Sequence, residues 1–263
     1  MPRLLALAAA ATALAASANA ALFSGSSSSD SLADRLNLKE LPYVGDALKS
    51  LYDSESLAMV PKKLQQYSSK TSEALKSIQE DAKIPQEIKD AAKEAFKTGS
   101  LDKVTELLSA NSLASDETVQ KAKETLEEYG VPYTNYVEAF WGLSPTSGGG
   151  EPSGKLGDAL KKQYGGFEQF KKKFTADVGR LWGSGWVWLV SDKSGGLSIE
   201  TSRFQSRPAA SKKVVLSLYL WERVLESAAF NNDRESYVNA WLKYVDWSVA
   251  GKRYEEREEK QEL

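Results

Sequence analysis

Gly183-Ser184-Gly185-Trp186-Val187-Trp188-Leu189-Val190, followed by Asp192-Lys193-Ser194-Gly195-Gly196 and a second run over 197–202, decides the fold. Both runs are rich in β-branched and aromatic residues, and the five residues between them are turn formers, so the pattern predicts a β-hairpin. A third run, 214–219, predicts a further strand. Beyond it, helical stretches are expected over 221–230 and 236–254. Upstream, 153–164 and 167–182 read as helices. Phe167, Phe170 and Phe174 share one face of the second, and Lys171 to Lys173 lie on its solvated side. Helices precede and follow the strands without a βαβ alternation, which predicts an α+β protein.

Further upstream the chain is helical in pattern. After Leu41-Pro42-Tyr43 an apolar-punctuated stretch reads as helix from Ser54 to about Ile78, interrupted by Pro61. Residues 83–129 are amphipathic throughout, with Ser100 and Ser115 as expected N-caps and Gly99 and Gly130 as expected stops. All seven Trp lie from Trp141 onward, so a second, denser core is expected there.

The 263 residues include no His and no Cys. That removes catalytic triads, Cys-His dyads, zinc centres and His-ligated iron or manganese. What is left for acid–base or metal work is carboxylate, phenol, amide and amine, and all-oxygen sites suit Ca²⁺ and Mg²⁺ better than redox metals. A net charge of −2 gives no basic stripe for nucleic acid.

The N-terminus combines Arg3, an apolar Leu/Ala run over 4–16 and Ala18-Asn19-Ala20, which predicts a secretory signal over 1–20 cleaved after Ala20. The apolar run is too short and Ala-rich for a membrane span, so none is expected after cleavage. A Ser-rich linker over 21–40 follows; an organelle address in two parts is the alternative. The last residues, Lys260-Gln261-Glu262-Leu263, are similar to an endoplasmic-reticulum retrieval signal, which makes that lumen the expected compartment.

Several stretches together are similar to the iron/manganese superoxide dismutase family. They are Leu41-Pro42-Tyr43 with Asp46-Ala47-Leu48; Gly148-Gly149-Gly150-Glu151-Pro152-Ser153-Gly154; Gly183 to Val190; Trp221-Glu222; Tyr237 to Trp241; and Val245-Asp246-Trp247 with Arg253-Tyr254. The resemblance covers about residues 41–254. It implies an N-terminal helical hairpin domain over 41–140, enlarged at 83–129, an α/β domain over 141–254 with a three-stranded antiparallel sheet, and a charged tail over 255–263.

The family's activity would be disproportionation of superoxide by iron or manganese held by three His and one Asp. Registered on the motifs above, the four ligand positions are Val60, Tyr136, Tyr219 and Arg223. Leu64 stands at the gateway His and Ser68 at the pocket Tyr. Gln205 matches a Gln that hydrogen-bonds metal-bound solvent, and Trp186, Trp188 and Trp221 match the aromatic wall. An Arg cannot ligate a cation at any relevant pH.

The expected outcome is a site refilled by two phenols and an Arg, with no metal cofactor and no catalytic residues. The resemblance also implies a homodimer, with Glu222 of each subunit reaching Arg223 of the other; the alternative has Arg223 extended into solvent and Glu222 exposed. The 76 residues between Val60 and Tyr136 exceed the family's spacing. The surplus either lengthens the helical layer or presents a surface to a partner. The expected function is a non-catalytic structural or interaction subunit. Its rivals are a dismutase with an atypical metal site and a small-anion-binding protein reusing the cavity.

Overall fold

The computed structural model describes residues 41, 43, 45–110, 116–227 and 229–259. The expected signal, the Ser-rich linker, Ser115 and the terminal 260–263 lie outside the described residues.

Helix α1 spans Ser54–Glu80, opened by Asp53, whose carboxylate accepts from the Ser56 N–H at 2.6 Å. It runs unbroken through Pro61, where a break was expected. Pro61 withholds one backbone donor and costs about 3 kcal/mol. Against that, Leu57, Val60, Leu64, Leu75 and Ile78 bury a continuous face, each worth roughly 1.5–3 kcal/mol.

Helix α2 (Gln86–Thr98) ends as expected at Gly99, left-handed at φ 74°. Helix α3 (Asp102–Ala110) begins one residue later than Ser100 would dictate. Asp116, accepting from the Thr118 N–H at 3.0 Å, caps α4 (Glu117–Thr125).

Gly130 stops nothing. It closes a π turn, Leu126–Gly130, that flows straight into α5 (Val131–Phe140). Pro132 cannot donate an i→i−4 bond, and the wide turn, with the Val131 N–H bonded to the Leu126 carbonyl, accommodates this. Gly130 is needed for close packing instead, since a Cβ there would lie 2.6 Å from Leu101 Cδ1.

Helices α6 (Gly154–Tyr164) and α7 (Phe167–Arg180) follow a glycine loop. α7 stops short of Trp182, which is 81% exposed. Its Phe face packs as expected, with Phe174 stacked on Trp241 at 5.3 Å and Phe167 edge-on to Trp247 at 5.3 Å.

Strands β1 (Gly185–Ser191), β2 (Leu197–Arg203) and β3 (Lys213–Leu220) form one antiparallel sheet in the order β2-β1-β3. β1 is buried at every residue because it is central and covered by helices. Trp186 pairs with Ser202 on one side and Tyr219 on the other.

The C-terminal helices are more broken than the periodicity predicted. α8 is one turn, Glu222–Leu225, and 236–254 divides into α9 (Arg234–Leu242) and part of α10 (Trp247–Glu259). The interruption is tertiary: Leu143 bridges Val245, and the Ser144 N–H donates to the Tyr244 carbonyl at 2.7 Å. The Trp-rich core expected beyond Trp141 is continuous with the core of the helical layer. The architecture is α+β, a helical N-terminal region followed by a three-stranded antiparallel sheet with helices. Among the described residues no helix is long and apolar enough to cross a membrane.

Candidate functional site

Four elements converge on one small cavity. Val60 comes from α1, Tyr136 from α5, Tyr219 from the end of β3 and Arg223 from α8; with Tyr52, Lys63 and others they line about 80 Å³. Ligand pockets for drug-sized molecules begin near 300 Å³, whereas a water's share of liquid is about 30 Å³. The space suits a few waters or a small ion. Leu64 and Ser68 are buried further along the same face of α1. They do not line the cavity, and Ser68 Oγ has no hydrogen-bond partner among the described residues.

The walls are aromatic. Tyr136 meets Tyr219 edge-on at 5.6 Å, stacks on Phe140 at 5.7 Å and meets Trp186 edge-on at 5.7 Å. Trp221 stacks on Tyr219 at 4.4 Å. The phenols of Tyr136 and Tyr219 stand close enough to perturb each other electrostatically. Tyr237 donates to the Tyr219 carbonyl and shares a 3.1 Å hydrogen bond with the Tyr52 hydroxyl. Burial is the main cause that pushes the phenols of Tyr52, Tyr136 and Tyr219 above their ordinary value. All three are neutral at physiological pH.

Lys63, one turn beyond Val60 on α1, donates to the Tyr136 hydroxyl at 3.2 Å. Partial burial, with the Arg223 charge second, pulls its pKa below that of an ordinary amine. Arg223 does not fill the cavity as expected. Its side chain is 66% exposed and pairs with Glu55, itself 83% exposed, at 3.3 Å. The cavity is walled by phenols and flanked by Lys63, while Arg223 stays at the rim.

This donor set does not fit an iron or manganese ion. Val60 offers no donor atom, the phenols hold their protons, and the Lys63 amine occupies the approach to Tyr136. Among the described residues no group of three or more His, Cys, Asp or Glu could hold a metal.

Behind the aromatic wall lies a polar network that the sequence did not disclose. Gln205 Oε1 accepts from Asn135 Nδ2 at 3.2 Å and from Trp186 Nε1 at 3.3 Å. Asn135 Oδ1 accepts from Arg207 at 2.8 Å, and Arg207 grips Glu138 at 2.8 and 3.0 Å. The Arg207 guanidinium also lies 5.7 Å from the centre of the Trp188 ring. Gln205 thus joins α5 to β1 directly beside Tyr136. Glu222 is exposed, and its backbone N–H donates to Ser184 Oγ at 3.3 Å. Of the functional residues the sequence passed over, only Lys63 carried a local signal, its position i+3 from Val60 on one helix.

Residues 152–253 match the family model for the C-terminal domain of iron/manganese superoxide dismutases. The chain is 31% identical over 220 residues to the manganese superoxide dismutase of Listeria innocua, covering 83% of this chain and 96% of that relative. It is 39% identical over 120 residues to the iron superoxide dismutase of Bacteroides fragilis, covering 45% of this chain and 62% of the relative.

Proposed function

The chain belongs to the iron/manganese superoxide dismutase family, and from that premise we propose that it works as a non-catalytic structural or interaction subunit. The observation that carries this reading is the convergence of Val60, Tyr136, Tyr219 and Arg223 on one cavity without a metal-binding donor set. Neutral phenols, an aliphatic side chain and a nearby ammonium give superoxide no redox partner. The test is metal content of the purified protein by mass spectrometry together with superoxide removal. Substoichiometric iron and manganese without turnover is the expected result; stoichiometric metal with turnover overturns the proposal. A second reading, a dismutase with an atypical site, is favoured by the similarity across 96% of a manganese enzyme, and the same measurement decides it.

The proposed assembly is a homodimer. Trp182 and Phe204 are 81% and 71% exposed, and both adjoin the turn at Gly183 and Ser184 against which Glu222 sits. Exposed aromatics in one place support an interface there. Arg223 already has Glu55 as an intrachain partner, so a Glu222–Arg223 bridge would be an exchange of partners. Light scattering after size exclusion tests the dimer, and an undiminished dimer in Glu222→Gln counts against the bridge. The proposed compartment is the secretory pathway; N-terminal sequencing of protein recovered from it, starting at Ala21, is the expected result.

A further inference from the structure

A larger cavity lies elsewhere. About 530 Å³ opens between the α2–α3 junction, α5, the segment joining β2 to β3, and α10, and it shares no lining residue with the phenol site. The α2–α3 junction belongs to 83–129, the stretch within which the surplus over the family's spacing is expected to fall.

Its electrostatics run against the chain's own balance. Lys97, Arg207, Lys212, Lys213, Lys252 and Arg253 line it, against Asp102, Glu138 and Glu256. That is a local excess of three positive charges in a chain whose net charge is −2. Arg207 is matched by Glu138, Lys212 by Glu200, Lys97 by Glu94 at 3.5 Å, and Lys213 reaches Glu256 at 3.8 Å, so that Lys252 and Arg253 are the lining cations without a salt bridge among the described residues. Arg253 is different: its Nη1 is buried and has no hydrogen-bond partner among the described residues. Burial leaves the guanidinium charge only partly compensated, and an anion in the cleft would offset that cost through the charge as a whole. Burial also draws the Arg253 pKa below its ordinary value, partly offset by Glu138 and Glu256.

The remaining wall is apolar. Tyr133, Val137 and Trp141 come from α5 and its end, and Val249 from α10. A site of this size with convergent cations on one side and aromatic and aliphatic surface on the other suits a small molecule that is charged at one end. We propose that this cleft binds a small organic anion, carboxylate- or phosphate-bearing with an apolar body, held by Arg253 and Lys252. The proposal stands whether or not the chain turns over superoxide.

Isothermal titration calorimetry on the full protein at constant low ionic strength tests it, with citrate, adenosine monophosphate and inorganic phosphate as probes. The two organic arms separate a carboxylate from a phosphate ligand. Saturable binding of at least one of them, tighter than that of inorganic phosphate and weakened by added salt, is expected. Arg253→Gln is expected to weaken it by roughly tenfold or more, the loss of a charge-assisted contact. No saturable heat from any probe, inorganic phosphate bound as tightly as the organic anions, or an undiminished affinity in Arg253→Gln overturns the proposal. Should circular dichroism show that Arg253→Gln does not fold, Lys252→Gln at the rim takes its place. A measurable weakening and a shallower salt dependence are then expected, and an unchanged affinity overturns the proposal.

Discussion

Glu138→Gln removes the carboxylate charge that holds Arg207 and with it the anchor of α5 against the β2–β3 segment. The pair is bidentate at 2.8 and 3.0 Å, and its side chains are only 16% and 22% exposed. Breaking a buried pair by removing one partner costs about 3–5 kcal/mol, because the remaining charge stays desolvated. Arg207 keeps its bond to Asn135 and some solvent contact, which places the expected loss near the lower limit, about 3 kcal/mol. At roughly 2–4 °C per kcal/mol for a chain of this size, Tm falls by about 6–12 °C in differential scanning calorimetry. Two comparisons isolate the cause. Lys70→Ala breaks a pair whose side chains are 48% and 61% exposed and is expected to cost under about 0.5 kcal/mol. The double variant Glu138→Leu with Arg207→Met removes both charges together but leaves the buried Asn135 Oδ1 without its donor, so it is expected to cost about 1–2 kcal/mol, less than the single variant. A loss under about 1 kcal/mol in Glu138→Gln, or a double variant as unstable as the single, refutes the account.

Stability is expected to fall above pH 10. Tyr133, nearly inaccessible to solvent, has its phenol pushed up to about 12 by burial, so its stabilising contribution is complete below the ordinary phenol pKa near 10 and lost as pH rises through about 12. Two pH units correspond to about 2.7 kcal/mol from this residue, and guanidinium denaturation from pH 8 to 12 reads it. Gly185→Ala is expected to lose about 1–3 kcal/mol in the same assay, since its Cβ would lie 2.1 Å from the Ser202 carbonyl oxygen, a backbone atom with little room to move. Arg223→Ala removes only an exposed pair and is expected to change stability by less than about 0.5 kcal/mol; a loss above 2 kcal/mol would mean that the guanidinium fills the cavity after all.

What was legible in the sequence was local. The β1–β2 hairpin declared itself because β-branched and aromatic content and the Asp192 to Gly196 turn all act within a few residues, and Asp192 Oδ1 does accept from the N–H groups of Ser194 and Gly196. Gly99 stopped its helix for the same kind of reason. The misreadings have distant causes. Pro61 breaks an isolated helix, but in this fold the buried face of α1 outweighs it. The division of α9 from α10 depends on pairing between 142–144 and 244–246, some 100 residues apart, which periodicity cannot register. The direction of Arg223 depends on Glu55, 168 positions away, and the Arg207–Glu138 pair spans 69. In the candidate site the motifs located the cavity residues, whereas Lys63 passed unread: its place i+3 from Val60 puts it on the same side of α1, but the phenol it meets lies 73 positions away.

The phenol cluster also bears on how the fold could do without a metal. By the resemblance, a family metal would tie α1, α5 and residues 219–223 through four bonds. The rings of Tyr52, just ahead of α1, of Tyr136 and Phe140 on α5 and of Tyr219 on β3 tie the same region together, with centroid separations of 5.6 to 6.3 Å, four of the five contacts running between elements. Tyr237 adds α9 through its bonds to Tyr52 and the Tyr219 carbonyl. Each aromatic contact is worth about 0.5–1.5 kcal/mol beyond burial, so five of them amount to roughly 2.5–7.5 kcal/mol if additive, a substantial part of the 5–15 kcal/mol that keeps a domain folded. A coordinated ion gives that cross-link and a reaction together; stacked, neutral phenols give the cross-link alone. Tyr136→His with Tyr219→Asp would reverse the exchange at two positions, and without Val60→His it is expected to lose the ring contacts without gaining an ion. Thermal denaturation with and without added manganese reads this directly: a lower Tm that manganese does not restore is the expected result, and full restoration by manganese would mean that the remaining residues already provide the rest of a metal site.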